Sequence, residues 1–253
     1  MAVPAVAGLR SALRGPVMWG RSLYRRPSRT EDWVVVAMYH RVPEKDRIGF
    51  VRQLDYMESL ADFISPGQLV ELLCRDEPLG GRYVCITFDD GESDAYRNAA
   101  PILAESEIPA AFFIVPDWVS ADISDGDGRR RHVTWQECRN LVGAGFTVGS
   151  HSMSHRRFSV LRADDARAEF ERSKGTLENA LGIECRHFAC PWGQPALDYD
   201  PDRDPRLARA AGYYSFFTTI RGHGEKGTSP WAIPRVRLEP DWSVSQLPYL
   251  FAR

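Results

Sequence analysis

The sequence predicts an α/β protein, a (β/α) barrel of parallel strands wrapped by helices. Short apolar, β-branched runs alternate with amphipathic stretches along nearly the whole chain, the pattern of parallel strands joined by right-handed crossovers. Roughly seven or eight such units in 253 residues favour a barrel over an open sheet. Two of the runs also end in clusters of carboxylates or histidines, and the C-terminal ends of strands are where barrel folds gather catalytic groups.

Residues 1–30 form a basic extension ahead of the domain at 31–253. They carry Arg10, Arg14, Arg21, Arg25, Arg26 and Arg29 and no acidic residue, and Gly15-Pro16 interrupts any continuous helix. Two readings stand: a terminal extension without a partner, or a segment that leans on an anionic membrane surface. Trp33 to Tyr39 is the first predicted strand, with His40 at its end. Phe50 to Leu60 places Phe50, Leu54, Met57 and Leu60 on one helix face. Phe63-Ile64 fits a short strand, and Ser65-Pro66 the cap and first turn of a helix running to Cys74.

Val84 to Phe88 is the next strand. Ser93 to Glu107 reads as a helix that Pro101 kinks or restarts, and Ala110 to Val115 as a compact strand. Residues 117–133 are polar and end in Arg129-Arg130-Arg131-His132, so a lid or a plain surface loop fits equally. Thr134 with Glu137 forms a capping box for a helix to Gly143. Strand Phe146–Gly149, helix Ala163–Leu181 and strand Arg186–Cys190 follow. Asp204-Pro205 opens another helix, Tyr213–Ile220 and Ile233–Leu238 are the last strands, and Ser243–Phe251 is a terminal helix.

Bulk numbers are those of an ordinary globular protein: 43% hydrophobic, 26% charged. The net charge of -2 makes no case for nucleic acid. No run is long enough to span a membrane, and the start lacks the order of basic head then apolar core expected of a secretory signal. The five cysteines have no metal-finger spacing. Reduced thiols and a cytoplasmic location are the expectation, with membrane association through residues 1–30 only on the second of those two readings.

The chemistry concentrates in Thr87-Phe88-Asp89-Asp90-Gly91 and in His151-Ser152-Met153-Ser154-His155. Two adjacent carboxylates at the end of a buried strand repel unless a cation or a shared proton offsets them, although Asp-Gly is also a common turn pair. Two histidines four apart share one face if the chain is helical there. With one carboxylate they make the His-His-carboxylate set that zinc and other divalent metals accept while leaving positions open.

These two stretches resemble the first two motifs of the polysaccharide deacetylases, carbohydrate esterase family four. Phe188-Ala189-Cys190-Pro191-Trp192-Gly193 is similar to the third motif, and Met38-Tyr39-His40-Arg41-Val42 to the first strand of one family branch. The resemblance runs from about Val34 to Leu238. It implies a distorted, seven-stranded (β/α) barrel. It implies Asp90, His151 and His155 as ligands of a divalent metal, most often Zn2+, and Asp89 as general base. Pro191 and Trp192 become expected substrate contacts, and an N-acylated carbohydrate the expected partner. The implied activity is metal-dependent removal of an N-acetyl group from an amino sugar in a glycan or glycan precursor.

Two departures stand out. The arginine that orients the base in the family's third motif is Ala189 here, and no histidine follows Pro234-Arg235-Val236-Arg237-Leu238 to act as general acid. His40 and His223 are the spare histidines near predicted strand ends, each otherwise a structural histidine. Trp135, Trp231 and Trp242 are read as core or rim residues rather than sugar platforms. A deformylase or other amidohydrolase, and an inactive glycan-binding relative, are the competing readings.

Overall fold

A computed structural model describes residues 31–121 and 131–252. The basic run at 1–30 and most of the loop after the fourth strand lie outside the described residues. The elements are β1 (Trp33–Tyr39), α1 (Arg47–Glu58), β2 (Asp62–Phe63), α2 (Pro66–Cys74), β3 (Arg82–Phe88), α3 (Ala100–Glu105), β4 (Ala110–Ile114), α4 (Trp135–Gly143), β5 (Thr147–Ser150), α5 (Ala163–Leu181), β6 (His187–Ala189), α6 (Asp204–Ala210), β7 (Ser215–Phe217), β8 (Val236–Arg237) and α7 (Leu247–Leu250). Strand order is β7-β6-β5-β4-β3-β1-β8, with β2 paired to β3, and all pairings are parallel. The sheet curls, and its two edges approach through a bridge between Phe217 and Ile233. The expected seven-stranded, distorted barrel is what forms.

Period-two alternation explains why both faces of the sheet are buried. Val35, Ala37 and Tyr39 of β1, with Val84, Ile86 and Phe88 of β3, pack outward against the helices. Val34, Val36, Cys85, Ala111, Phe113, Ala189 and Phe217 fill the interior. Counting on from the interior set carries His40, Asp89 and His151 to the mouth on the inner side. The site is thus placed by strand register, not by loop conformation alone.

The helices follow from their caps and faces. Ser65 with Gln68, and Thr134 with Glu137, form reciprocal capping boxes at the starts of α2 and α4. Pro101 does restart a helix: a π-helical turn, Ala95–Ala99, precedes α3. Gln53, buried on α1, accepts from the Tyr39 hydroxyl at 2.7 Å and donates to the Glu239 and Trp242 carbonyls, fastening the chain beyond β8 against β1. The ends of three predicted elements are shorter than the sequence patterns imply. β7 stops at Phe217 because Thr218 turns its hydroxyl to the Ile233 carbonyl, and β8 and the terminal helix each shrink to a few residues. All five cysteines are free, four of them buried. No helix among the described residues is long and apolar enough to cross a membrane.

Candidate metal and catalytic site

The three motif loops meet at the mouth of the barrel through backbone conformations that side chains rarely adopt. Asp90 (φ 70), Ser152 (φ 62), His155 (φ 60) and Trp192 (φ 62) are all left-handed. Each such residue costs roughly 1–3 kcal/mol, so their concentration in these loops marks a place where geometry outranks local comfort. At Asp90 this turn swings the side chain away from the direction Asp89 takes. Gly193 (φ 73) follows Trp192, where any Cβ would come within 2.7 Å of the Thr219 nitrogen.

The result is a compact triad. Asp90 Oδ1 lies 3.4 Å from His151 Nε2 and 3.2 Å from His155 Nε2. One ligand atom from each residue falls within 4.8 Å of the others. The histidines converge without the helix that their spacing invites: β5 ends at Ser150, and a turn carries the chain from His151 to His155. Glu169 on α5 shapes that turn. Its carboxylate accepts from the backbone N–H groups of Met153 and Ser154 and from the Ser154 hydroxyl at 2.6 Å. His151 Nδ1 donates to the Ala189 carbonyl at 2.8 Å, which turns its Nε2 toward Asp90.

This donor set fits a divalent cation. Two imidazole Nε2 atoms and a carboxylate oxygen face one another at close range, and one imidazole is fixed through its other nitrogen as in ligand histidines. Burial works against charge on Asp90, but hydrogen bonds from His151 and His155 hold its pKa far below the usual carboxylate range.

Asp89 has different surroundings. It is 2% exposed, and both its oxygens accept from Arg235, Nη1 to Oδ1 and Nη2 to Oδ2, each at 2.7 Å. Arg235 is itself 1% exposed, and its Nε donates to the Thr218 carbonyl at 2.8 Å. Burial alone would raise the Asp89 pKa; the guanidinium and the nearby His151 outweigh it and bring it below the ordinary value. This corrects the expectation that Ala189 leaves the carboxylate without its orienting arginine. Ala189 faces the interior, and its small side chain leaves room for an arginine arriving from just before β8, above the Phe113 ring. Sequence reasoning missed Arg235 because its partner is 146 residues away. The one available signal was an arginine inside a predicted strand.

A cavity of about 430 Å3 opens above the triad and is lined by His40, Asp89, Asp90, His151, His155 and Trp192, among others. His40 sits at the end of β1 with its Nδ1 buried and without a hydrogen-bond partner among the described residues. Burial lowers its pKa, against the pull of Asp89 and Asp90. His223 does not reach this cavity. It packs 6.4 Å from the Trp33 ring, beside the Val34–Gly224 bridge at the opposite end of β1, about 20 Å away at a strand's rise per residue.

Trp192 is 52% exposed at the cavity rim, with the Arg157 guanidinium 4.6 Å above its ring and His155 at 5.5 Å. Pro191 is buried and is not among the residues that line the cavity. Trp135, Trp231 and Trp242 pack against the core. Two groups unforeseen from sequence complete the surroundings. His132 Nδ1 lies 3.2 Å from the Asp90 carbonyl, and the Trp118 ring packs 4.8 Å from His132 and 4.7 Å from His155. Residues 131–133 run antiparallel to 91–93, with Val133 donating to Gly91 and Ser93 to Arg131. Both described ends of the loop after β4 are therefore fastened to the metal-type site.

A curled parallel sheet with a His-His-carboxylate triad and a second, buried carboxylate at its mouth defines a class of barrel hydrolase. The polysaccharide deacetylase family model matches residues 76–215, and the chain belongs to that family. YxkH of Bacillus subtilis (strain 168), whose name places it among the polysaccharide deacetylases, is 24% identical over 218 residues, covering 83% of this chain and 73% of its own. IcaB from Ammonifex degensii is similar with a TM-score of 0.74 and 27% identity over 88% of this chain and 100% of that one. The fold is shared with the Streptococcus pyogenes deacetylase PplD, solved in complex with acetate, at a TM-score of 0.70 and 21% identity, covering 90% of this chain and 100% of that one.

Proposed function

We propose that this protein is a metal-dependent N-deacetylase acting on an N-acetylated amino sugar within a glycan or glycan precursor. The observation that carries the reading is the convergence of Asp90, His151 and His155 beside a buried Asp89 held ionised by Arg235. Asp90, His151 and His155 would hold the cation, zinc first among those this donor set accepts; when bound, it lowers the pKa of water and polarises a carbonyl. Asp89 takes a proton from the attacking water. Arg235 occupies only one lone pair on each Asp89 oxygen, so the carboxylate keeps acceptor capacity on the cavity side. His40, which lines the same cavity, would pass a proton to the departing amine after first taking one up, and its lowered pKa favours giving that proton away. Trp192 offers an exposed ring face at the rim for a sugar. The case for an inactive binding relative leaned on Ala189 and on the missing C-terminal histidine; Arg235 supplies what position 189 lacks, and His40 is the histidine that lines the cavity.

The test is metal analysis of the purified chain together with acetate release from N-acetylglucosamine oligomers, with appearance of free amine in the product. Metal-dependent release of acetate in step with amine supports the reading. Formate release from N-formyl substrates alone would replace it with the deformylase reading, and stoichiometric metal with no turnover on any acylated sugar would sink it.

A further inference from the structure

A second polar cavity, of about 330 Å3, opens beside the first. It falls at the lower end of the range for ligand sites, roughly 300–1,000 Å3. Its walls continue directly from the catalytic residues. Arg41 follows His40 on one side, and Glu92, Ser93 and Asp94 follow Asp90 and Gly91 on the other. One or two residues of chain separate the two cavities, which is about 4–8 Å at the usual Cα spacing.

Charge in this cavity is settled unevenly. Arg41 Nε pairs with Asp94 Oδ2 at 3.1 Å, and Arg131 Nε with Glu92 Oε1 at 3.3 Å. Glu44 pairs with Arg47, which does not line the cavity. Lys45 and Arg97 line it with no acidic partner within ion-pair distance among the described residues. Arg97 projects from the π-helical turn Ala95–Ala99, a widened turn of the kind often found at functional sites. Its neighbour Asn98 ties that turn to the opposite wall by donating to the Val42 carbonyl at 2.8 Å. Asp94 Oδ1 is closed off from solvent, but the side chain is 18% exposed and its Oδ2 keeps a lone pair beyond the Arg41 contact. An acceptor with a spare lone pair beside two cations without acidic partners fits a ring that offers hydroxyl donors and carries an anionic group.

We propose that this cavity is a subsite for an anionic sugar unit next to the one being deacetylated, with the carboxylate or phosphate on Lys45 and Arg97 and a ring hydroxyl on Asp94. The inference rests on the deacetylase reading and narrows its substrate class to glycans or precursors bearing a negative charge beside the N-acetyl group. Glu92 and Asp94 do not repel such a unit, because each is already neutralised by its own arginine.

The experiment measures binding to the full chain by calorimetry, separately from turnover. The probes are chitotetraose as a neutral ligand, a hyaluronan tetrasaccharide as a carboxylate ligand, and UDP-N-acetylglucosamine as a diphosphate ligand. At low salt at least one anionic probe should bind about tenfold more tightly than chitotetraose, the size of one charge-assisted hydrogen bond. That gap should close in high salt and in the Lys45→Ala/Arg97→Ala variant, with chitotetraose binding unchanged; which probe shows it distinguishes carboxylate from phosphate. Equal binding of all three probes, or a gap that survives the double substitution, overturns the subsite. If no acylated sugar is hydrolysed but the gap is present, the deacetylase reading fails and the subsite stands. Acetate release without a gap gives the reverse.

Discussion

Asp89 and Asp90 are consecutive in the chain, yet one faces a buried guanidinium and the other two imidazoles. Strand alternation accounts for the first. Asp89 continues the interior face of β3 after Cys85 and Thr87, and so meets Arg235 from beside β8. A left-handed turn accounts for the second, since Asp90 leaves the strand at φ 70 and presents its carboxylate to the β5 loop. Two identical side chains therefore acquire different chemistry from backbone geometry. Asp89 has a permanent cation of the protein's own. Asp90 has only titratable partners, which is the arrangement of a ligand set.

The sharpest way to break this comparison is to remove the ligands. Asp90→Ala, His151→Ala and His155→Ala should each abolish stoichiometric metal binding and bring activity to background, because three ligands leave no spare. Metal retained at parental affinity by all three would dissolve the distinction between the carboxylates. The complementary change, Asp89→Asn, should leave metal content intact and lower kcat by about a hundredfold or more, the usual loss for a general base. Loss of metal along with activity in that variant would make Asp89 a ligand as well.

How far this was legible in the sequence follows from the same geometry. The two carboxylates, the two histidines and the alternation of strands and helices are local patterns, and each landed where the pattern put it. The histidine pair converged for another reason than helical spacing, because the turn at Ser152 does the work. Arg235, Glu169 and His132 were not legible as parts of a site. Each acts through a contact between segments that only the closed sheet brings together, and arginine, glutamate and histidine are individually unremarkable residue types. His223 illustrates the converse: a histidine beside a predicted strand looked equivalent to His40, but it lies at the foot of β1 rather than its mouth.

A smaller effect sharpens the Asp89 side. Arg235→Met leaves a buried carboxylate unpaired, and breaking a buried ion pair costs about 3–5 kcal/mol. Denaturant unfolding should show that loss in Arg235→Met, and a substantial recovery in Arg235→Met/Asp89→Asn, where the unpaired charge is gone. Equal stability of the single and double variants would mean that Arg235 contributes packing and not charge. Activity should fall in both, since one has a misplaced base and the other none.

The smallest expected effect concerns a histidine of the same interior that has no carboxylate to hold its charge. His187, on β6, is buried with Nδ1 2.8 Å from the Ser215 hydroxyl, and burial, with Arg186 and Lys174 adding to it, drives its pKa down to about 4. In the unfolded chain an ordinary histidine titrates near 6.5. Between these values the unfolded chain binds a proton that the folded chain refuses, so stability rises with pH across this window. The contribution is fully present above pH 6.5 and is lost as pH falls toward 4. At about 1.4 kcal/mol per pH unit, it amounts to roughly 2 kcal/mol between pH 6.5 and 5. His187→Gln removes that titration while keeping a polar group for Ser215. The variant should be less stable than the parent at pH 7, with the difference shrinking by roughly 2 kcal/mol at pH 5, measured by denaturant unfolding at both values. Parallel stability curves for the two proteins would show that His187 takes up its proton as easily folded as unfolded, and that the interior below the site is wetter than its packing implies.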